Sequence, residues 1–122
     1  MQLKAINPTD NAYAQACEVS DFKRLLFVSG QVPADADEKV PADYRSQYRL
    51  AWSNVEAQLK AAGMTFDNLV KVTIFLSDRK LIAQSVGLRA EILGDRSPAL
   101  TIIIAGIFDE GWLLEIEAVA AA

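Results

Sequence analysis

Apolar residues recur along this chain with two periods. Tyr44, Tyr48, Ala51, Trp52, Val55, Leu59 and Ala62 follow one another at intervals of three and four, with charged residues between them. That spacing predicts an amphipathic helix from about Asp43, with Gly63 where a left-handed C-cap belongs. A weaker pattern of the same period predicts a second helix over 80–93, ending at Gly94. Elsewhere the period is two. Over 69–76, Val70, Val72, Ile74 and Leu76 point one way and Lys71, Thr73 and Phe75 the other, as in a strand. Short strands are predicted over 14–19 and 25–28 around a polar turn at Ser20 and Asp21. Two more are predicted over 97–105 and 112–120, joined by the turn from Gly106 to Gly111. Ser29-Gly30-Gln31-Val32-Pro33 breaks the period, because Gly30 frees the backbone and Pro33 cannot continue a ladder. An Asp- and Ala-rich loop runs from there to about Ala42.

The resulting order, β-β-α-β-α-β-β, is an α+β arrangement with two helices on one face of a sheet. Leu100-Thr-Ile-Ile-Ile104 is apolar on both faces of its strand, although helices can cover only one. The other face needs a dry partner, and a second copy of the chain is the economical one. The expectation is a homo-oligomer built from a single domain spanning 1–122.

Composition narrows the function. With 52% apolar and 23% charged residues, disordered and low-complexity readings are excluded. Sixteen acidic against twelve basic residues leave a formal charge of −4, the wrong sign for a nucleic-acid footprint. There is no histidine and a single cysteine, Cys17. That removes Cys/His zinc sites, Ser-His-Asp triads and intrachain disulfides, and fits a reducing compartment. The first ten residues have no apolar signal region, and the apolar stretch 99–108 is half a membrane span. A cytoplasmic protein without membrane or nucleic-acid partners is expected.

Several residues could carry chemistry. Glu115 and Glu117 lie two apart on one strand, so their carboxylates share a face roughly 7 Å apart. They read either as acid/base groups in a cleft or as the wet face of an amphipathic strand. Ser29, Gly30 and Gln31 offer a hydroxyl, a close backbone approach and an amide, or simply a turn. Tyr13 and Trp112 read as packed aromatics or cleft walls, and Trp52 as core. Cys17 has no basic neighbour closer than Lys23 to activate it. Asp35, Asp37 and Glu38 lack the spacing of a cation loop and read as solvated, so no metal site is expected.

Leu26-Phe-Val-Ser-Gly-Gln-Val-Pro33, Asn54-Val through Ala61-Ala-Gly-Met64, Asp67-Asn-Leu-Val-Lys-Val-Thr-Ile-Phe-Leu76 and Glu115-Ile-Glu-Ala-Val119 together resemble the YjgF/RidA family of reactive intermediate deaminases, also called endoribonuclease L-PSP or translation inhibitors. The resemblance runs in order over nearly the whole chain. It implies a chorismate-mutase-like fold and a homotrimer with three clefts between subunits. It also implies cofactor-free hydrolysis of enamine or imine acids, such as 2-aminoacrylate, to 2-oxo acids and ammonia. Such chemistry needs a held substrate, a placed water and a proton carrier. By position, Glu115 matches the glutamate that places the water, Tyr13 a cleft tyrosine, and Ser29-Gly30 the loop lining the pocket, with Gln31 beside it. Ser85 falls near a cleft asparagine, though an apparent deletion before Ser97-Pro98 loosens that match. Leu100 and Ile102 take substrate-facing positions on their strand.

Leu100 is the main departure. Fifteen residues before the glutamate, the deaminase pattern has an arginine that clamps the substrate carboxylate, and leucine supplies none of that charge-assisted contact. Ile107-Phe-Asp109 also stands where the deaminases commonly have a basic-Leu-Pro triplet. Arg89 and Arg96 are the nearest upstream arginines, and four residues of extended strand span roughly 13 Å. A long side chain or a neighbouring subunit is left open as a substitute. The sequence therefore points to an intersubunit cleft for a small, less acidic molecule, with Leu100 excluding carboxylates and with imine or enamine hydrolysis as the reaction if the protein is an enzyme. A non-catalytic ligand-binding or regulatory module is the alternative, and an RNA-cleaving enzyme a weaker one. Chorismate mutase rests on fold analogy alone.

Overall fold

Helix α1 (Tyr44–Ala61) shows why the chain folds as it does. The Asp43 carboxylate accepts the Ser46 amide at 2.9 Å and caps the first turn. At the far end, Gly63 adopts φ +71°, and the Met64 and Gly63 amides donate to the Leu59 and Lys60 carbonyls at 2.8 and 2.9 Å. This is the Schellman closure that the glycine predicted. Between the caps, Tyr44, Tyr48, Ala51, Trp52, Val55 and Leu59 are all buried. They form the centre of a 19-residue hydrophobic cluster. Each large side chain so buried contributes on the order of 1.5–3 kcal/mol.

The computed structural model covers residues 1–122. It contains six strands: β1 (Gln2–Pro8), β2 (Ala14–Ser20), β3 (Leu25–Gln31), β4 (Leu69–Leu76), β5 (Ala99–Ile104) and β6 (Leu114–Ala121). The second helix, α2 (Ile82–Leu93), follows a short 3-10 turn at 79–81 that Asp78 caps. The strands form one mixed sheet in the order β1-β2-β5-β4-β6-β3. β4 pairs parallel with β5 through the α2 crossover, and β6 runs antiparallel to both β4 and β3. Both helices pack on one face, as the sequence predicts.

Register decides which residues share a face. Val72, Ile74 and Leu76 lie opposite Leu100, Ile102 and Ile104, and this set faces the helices. Lys71, Thr73 and Phe75 lie opposite Val119, Glu117 and Glu115 on β6, and this set lies on the open face. Phe27 joins it through its pairing with Val119 and is 73% exposed.

Four details differ from the sequence-based expectation. β1 was not anticipated, because its apolar residues are few and none becomes buried; it is an edge strand held by its antiparallel pairing with β2. β3 continues through Ser29, Gly30 and Gln31 with a bulge between Val28 and Gln31, where the sequence suggested an end. Val70 is half-exposed while Leu69 is buried, because a bulge between Leu69 and Lys71 shifts the phase of β4. The last two strands are shorter at their starts than 97 and 112.

Candidate functional site

The open face carries the first hollow. β6 projects Glu115 and Glu117 from it, as their two-residue spacing requires, and Phe75 sits opposite Glu115 on β4. Gly30, on the bulged end of β3, faces the same place. A Cβ built on Gly30 would overlap the Glu115 carboxylate and lie 2.7 Å from its Cδ and 3.0 Å from its Cγ. Any larger residue at position 30 would displace the Glu115 carboxylate from this place. The Glu115 carboxylate makes no hydrogen bond or ion pair within the chain, so its oxygens remain free for a ligand or water. With Ala105, Gly106 and Ile107 at its rim, the hollow measures about 370 Å³. A neighbouring hollow of about 380 Å³, lined by Phe27, Ser29, Lys71 and Thr73, shares Glu117 with it.

The second hollow is on the helix-bearing face, at the edge where β5 meets β2. It measures about 320 Å³ and is lined by Asn11, Tyr13, Val86, Arg89, Leu100 and Ile102. Tyr13 enters from the turn before β2, closed by the Thr9 amide and hydroxyl donating to the Tyr13 carbonyl at 2.9 Å each. Leu100 and Ile102 enter from β5, and Val86 and Arg89 from α2. The Arg89 guanidinium lies 5.6 Å from the centre of the Tyr13 ring, and its Nε donates to the Asn11 carbonyl at 3.0 Å.

The two hollows differ in chemistry: one is acidic and built around a free carboxylate, the other apolar with a buried cation. They lie on opposite faces of one sheet, so a single chain does not bring them together.

A sequence profile of the family described as Endoribonuclease L-PSP matches residues 3–122. The chain belongs to the YjgF/RidA (L-PSP) family. A RutC family protein of Pyrococcus horikoshii is 33% identical to it over 97% of this chain and 98% of its own length. TdcF of Escherichia coli, named as a candidate reactive intermediate deaminase, is 37% identical over 48% of this chain and 46% of its own. In fold, the chain is similar to YyfB of Yersinia pestis, described as a Rid family protein of unknown function. The TM-score is 0.86 with both chains fully covered, at 23% identity.

The structure divides the candidate residues of this L-PSP family member into three sets. Glu115, Ser29 and Gly30 lie together on the open face. Tyr13, Leu100 and Ile102 lie together in the second hollow. Gln31 and Ser85 line neither. Gln31 points toward α1, donating to the Ser29 carbonyl at 3.0 Å and accepting from Gln58 at 3.2 Å. Ser85 is 1% exposed; it donates to the Leu81 carbonyl at 2.6 Å and receives the Tyr44 hydroxyl at 2.5 Å. Burial pushes the Tyr44 phenol well above its ordinary pKa, so it stays a donor. The Ser85 hydroxyl thus pins α2 to α1.

Trp112 stacks at 6.3 Å from Phe108 in the turn before β6 and borders neither hollow, whereas Trp52 is core, 1% exposed. Asp35 accepts the Asp37 and Lys39 amides at 2.9 Å each and closes a turn. Burial raises the Cys17 thiol, which argues against a reactive thiolate. No helix is long and apolar enough to cross a membrane.

Sequence reasoning underweighted Arg89. Its signal was present: with Ser85, Leu88 and Leu93 it occupies the buried stripe of α2, where a guanidinium is out of place.

Proposed function

We propose that this Rid-family protein hydrolyses an imine or enamine to a carbonyl compound and ammonia, in a cleft completed between two copies of the chain. The observation that carries the reading is the free Glu115 carboxylate held over the Gly30 backbone at the rim of an open hollow. An imine carbon is already electrophilic. The protein has to hold the substrate, place a water against that carbon and carry its proton, and Glu115 serves the last two tasks. Attack of water forms the C–O bond, and protonation of nitrogen lets ammonia leave. No cofactor enters this scheme. The relative named as a candidate deaminase supports the reaction class.

Assembly is part of the proposal. The hollow with Tyr13, Leu100 and Ile102 is on the opposite face from Glu115, so one subunit supplies the water-placing group and its neighbour the substrate wall. Phe27 and Ile103, 73% and 43% exposed, give the open face an apolar surface for that neighbour. A homotrimer is the assembly implied, in the cytoplasm.

The test generates imines in place from a panel of neutral, acidic and aromatic amino acids with an amino acid oxidase, and traps the remainder with semicarbazide. The purified protein is expected to lower trapping for bulky apolar imines, and Glu115→Gln to slow this by about a hundredfold or more. Unchanged activity in Glu115→Gln would contradict the assignment. Saturable binding of a metabolite without turnover would favour a ligand-binding or regulatory module. The RNA-cleaving alternative fits the charge of −4 poorly.

A further inference from the structure

The second hollow contains a cation without a counter-ion. Arg89 is 2% exposed, and its Nη1 is buried with no hydrogen-bond partner. Its Nε contact is to a neutral carbonyl, that of Asn11, and none of the chain's ion pairs includes it. The phenols of Tyr44 and Tyr48, which feel the guanidinium's field, offer no anion, because burial raises both. A guanidinium remains protonated at any physiological pH, so its charge is present and uncompensated. Leaving a buried charge unpaired is costly, and an anion bound in the adjoining hollow offsets that cost.

The walls specify what else the ligand carries. Val86, Leu100 and Ile102 make one side apolar, the Tyr13 ring lies against the guanidinium, and the volume is about 320 Å³. We infer that Arg89 is the anion-binding group of this hollow and that its ligand is a small carboxylate with an apolar tail. The tail packs on Leu100 and Ile102 while the carboxylate meets the guanidinium from α2. Reading the strand alone, Leu100 was expected to exclude carboxylates; here the charge is supplied by the helix behind it. The inference rests on the proposed reading only in assigning this hollow to the reacting cleft.

The experiment titrates the wild-type protein with 4-methyl-2-oxopentanoate and with the neutral ketone 4-methylpentan-2-one. Calorimetry and the 15N-resolved arginine Nε–H resonances report binding. The acid is expected to bind saturably, shift the Arg89 Nε–H signal and bind at least tenfold more tightly than the ketone. Arg89→Gln should weaken the acid by about ten- to a hundredfold and leave the ketone unchanged, with Arg89→Lys intermediate. If the Gln variant does not fold, the wild-type comparison of acid and ketone decides alone. Equal affinity for the two probes, no saturable binding of the acid, or acid binding that leaves the Arg89 signal in place would overturn the inference. Imine hydrolysis without Arg89-dependent acid binding would sink this inference and spare the deaminase reading. Arg89-dependent binding without hydrolysis of any imine would do the reverse.

Discussion

Gly30 and Glu115 are coupled by contact, which makes the glycine as informative as the acid. A methyl group at position 30 would occupy the space of the carboxylate, and the neighbour that must move is the end of a side chain rather than backbone. Gly30→Ala is therefore expected to fold normally but to swing Glu115 away from the hollow. A misplacement of about 1 Å in a positioned group costs on the order of a hundredfold in rate. Imine hydrolysis by Gly30→Ala should fall by that order while its thermal midpoint stays near wild type. A lost fold with intact specific activity of the remaining protein would contradict the coupling. The glutamate pair was legible in the sequence as two carboxylates sharing one face, because a strand's period fixes that. Their free state was not legible, because it depends on which strands flank β6 and on what β3 brings over it. Arg89 shows the opposite failure: its position on the apolar stripe was visible, but only the fold shows that nothing balances it.

At the scale of elements, α1 was the most readable segment because its stripe, N-cap and C-cap agree. Gly63 has φ +71° and open space around the site of a Cβ, so the cost of Gly63→Ala is purely conformational. A loss of about 1–2 kcal/mol in urea unfolding is expected. The N-cap gives a pH effect of defined sign. The amide of Ser46 holds the Asp43 carboxyl below its usual range. Its contribution is therefore complete above the ordinary carboxylate range and is lost as pH falls through its lowered value. Wild type should lose stability relative to Asp43→Asn on acidification, since asparagine caps without titrating; parallel stability curves from neutral to acid pH would refute this. Strand β1 and the far end of β3 escaped sequence reading for a shared reason. Both are edge strands, held largely by backbone pairing, and edge pairing leaves little hydrophobic alternation to detect.

For the whole molecule, the sheet separates the acidic hollow from the apolar one, and the family fold does not alter that within one chain. The two-faced apolar strand 100–104 led to the expectation of a partner on the open face, and the proposed assembly places that partner over Phe27 and Ile103, 73% and 43% exposed in the single chain. Phe27→Glu is expected to lower the assembly toward monomers in analytical ultracentrifugation and to abolish hydrolysis, although Phe27 lies outside the Glu115 hollow. A monomeric Phe27→Glu protein with full activity would show that one chain suffices.

The most direct test of an intersubunit cleft uses two defective chains. Glu115→Gln removes the water-placing group, and Val86→Trp fills the second hollow from the helix side. Each variant alone should be inactive. Co-expressed with different tags and isolated as mixed trimers, they should recover about a third of wild-type imine hydrolysis, since one of the three clefts in every mixed trimer pairs an intact Glu115 with an intact neighbouring hollow. Mixed assemblies verified by native mass spectrometry that remain inactive would contradict the shared cleft.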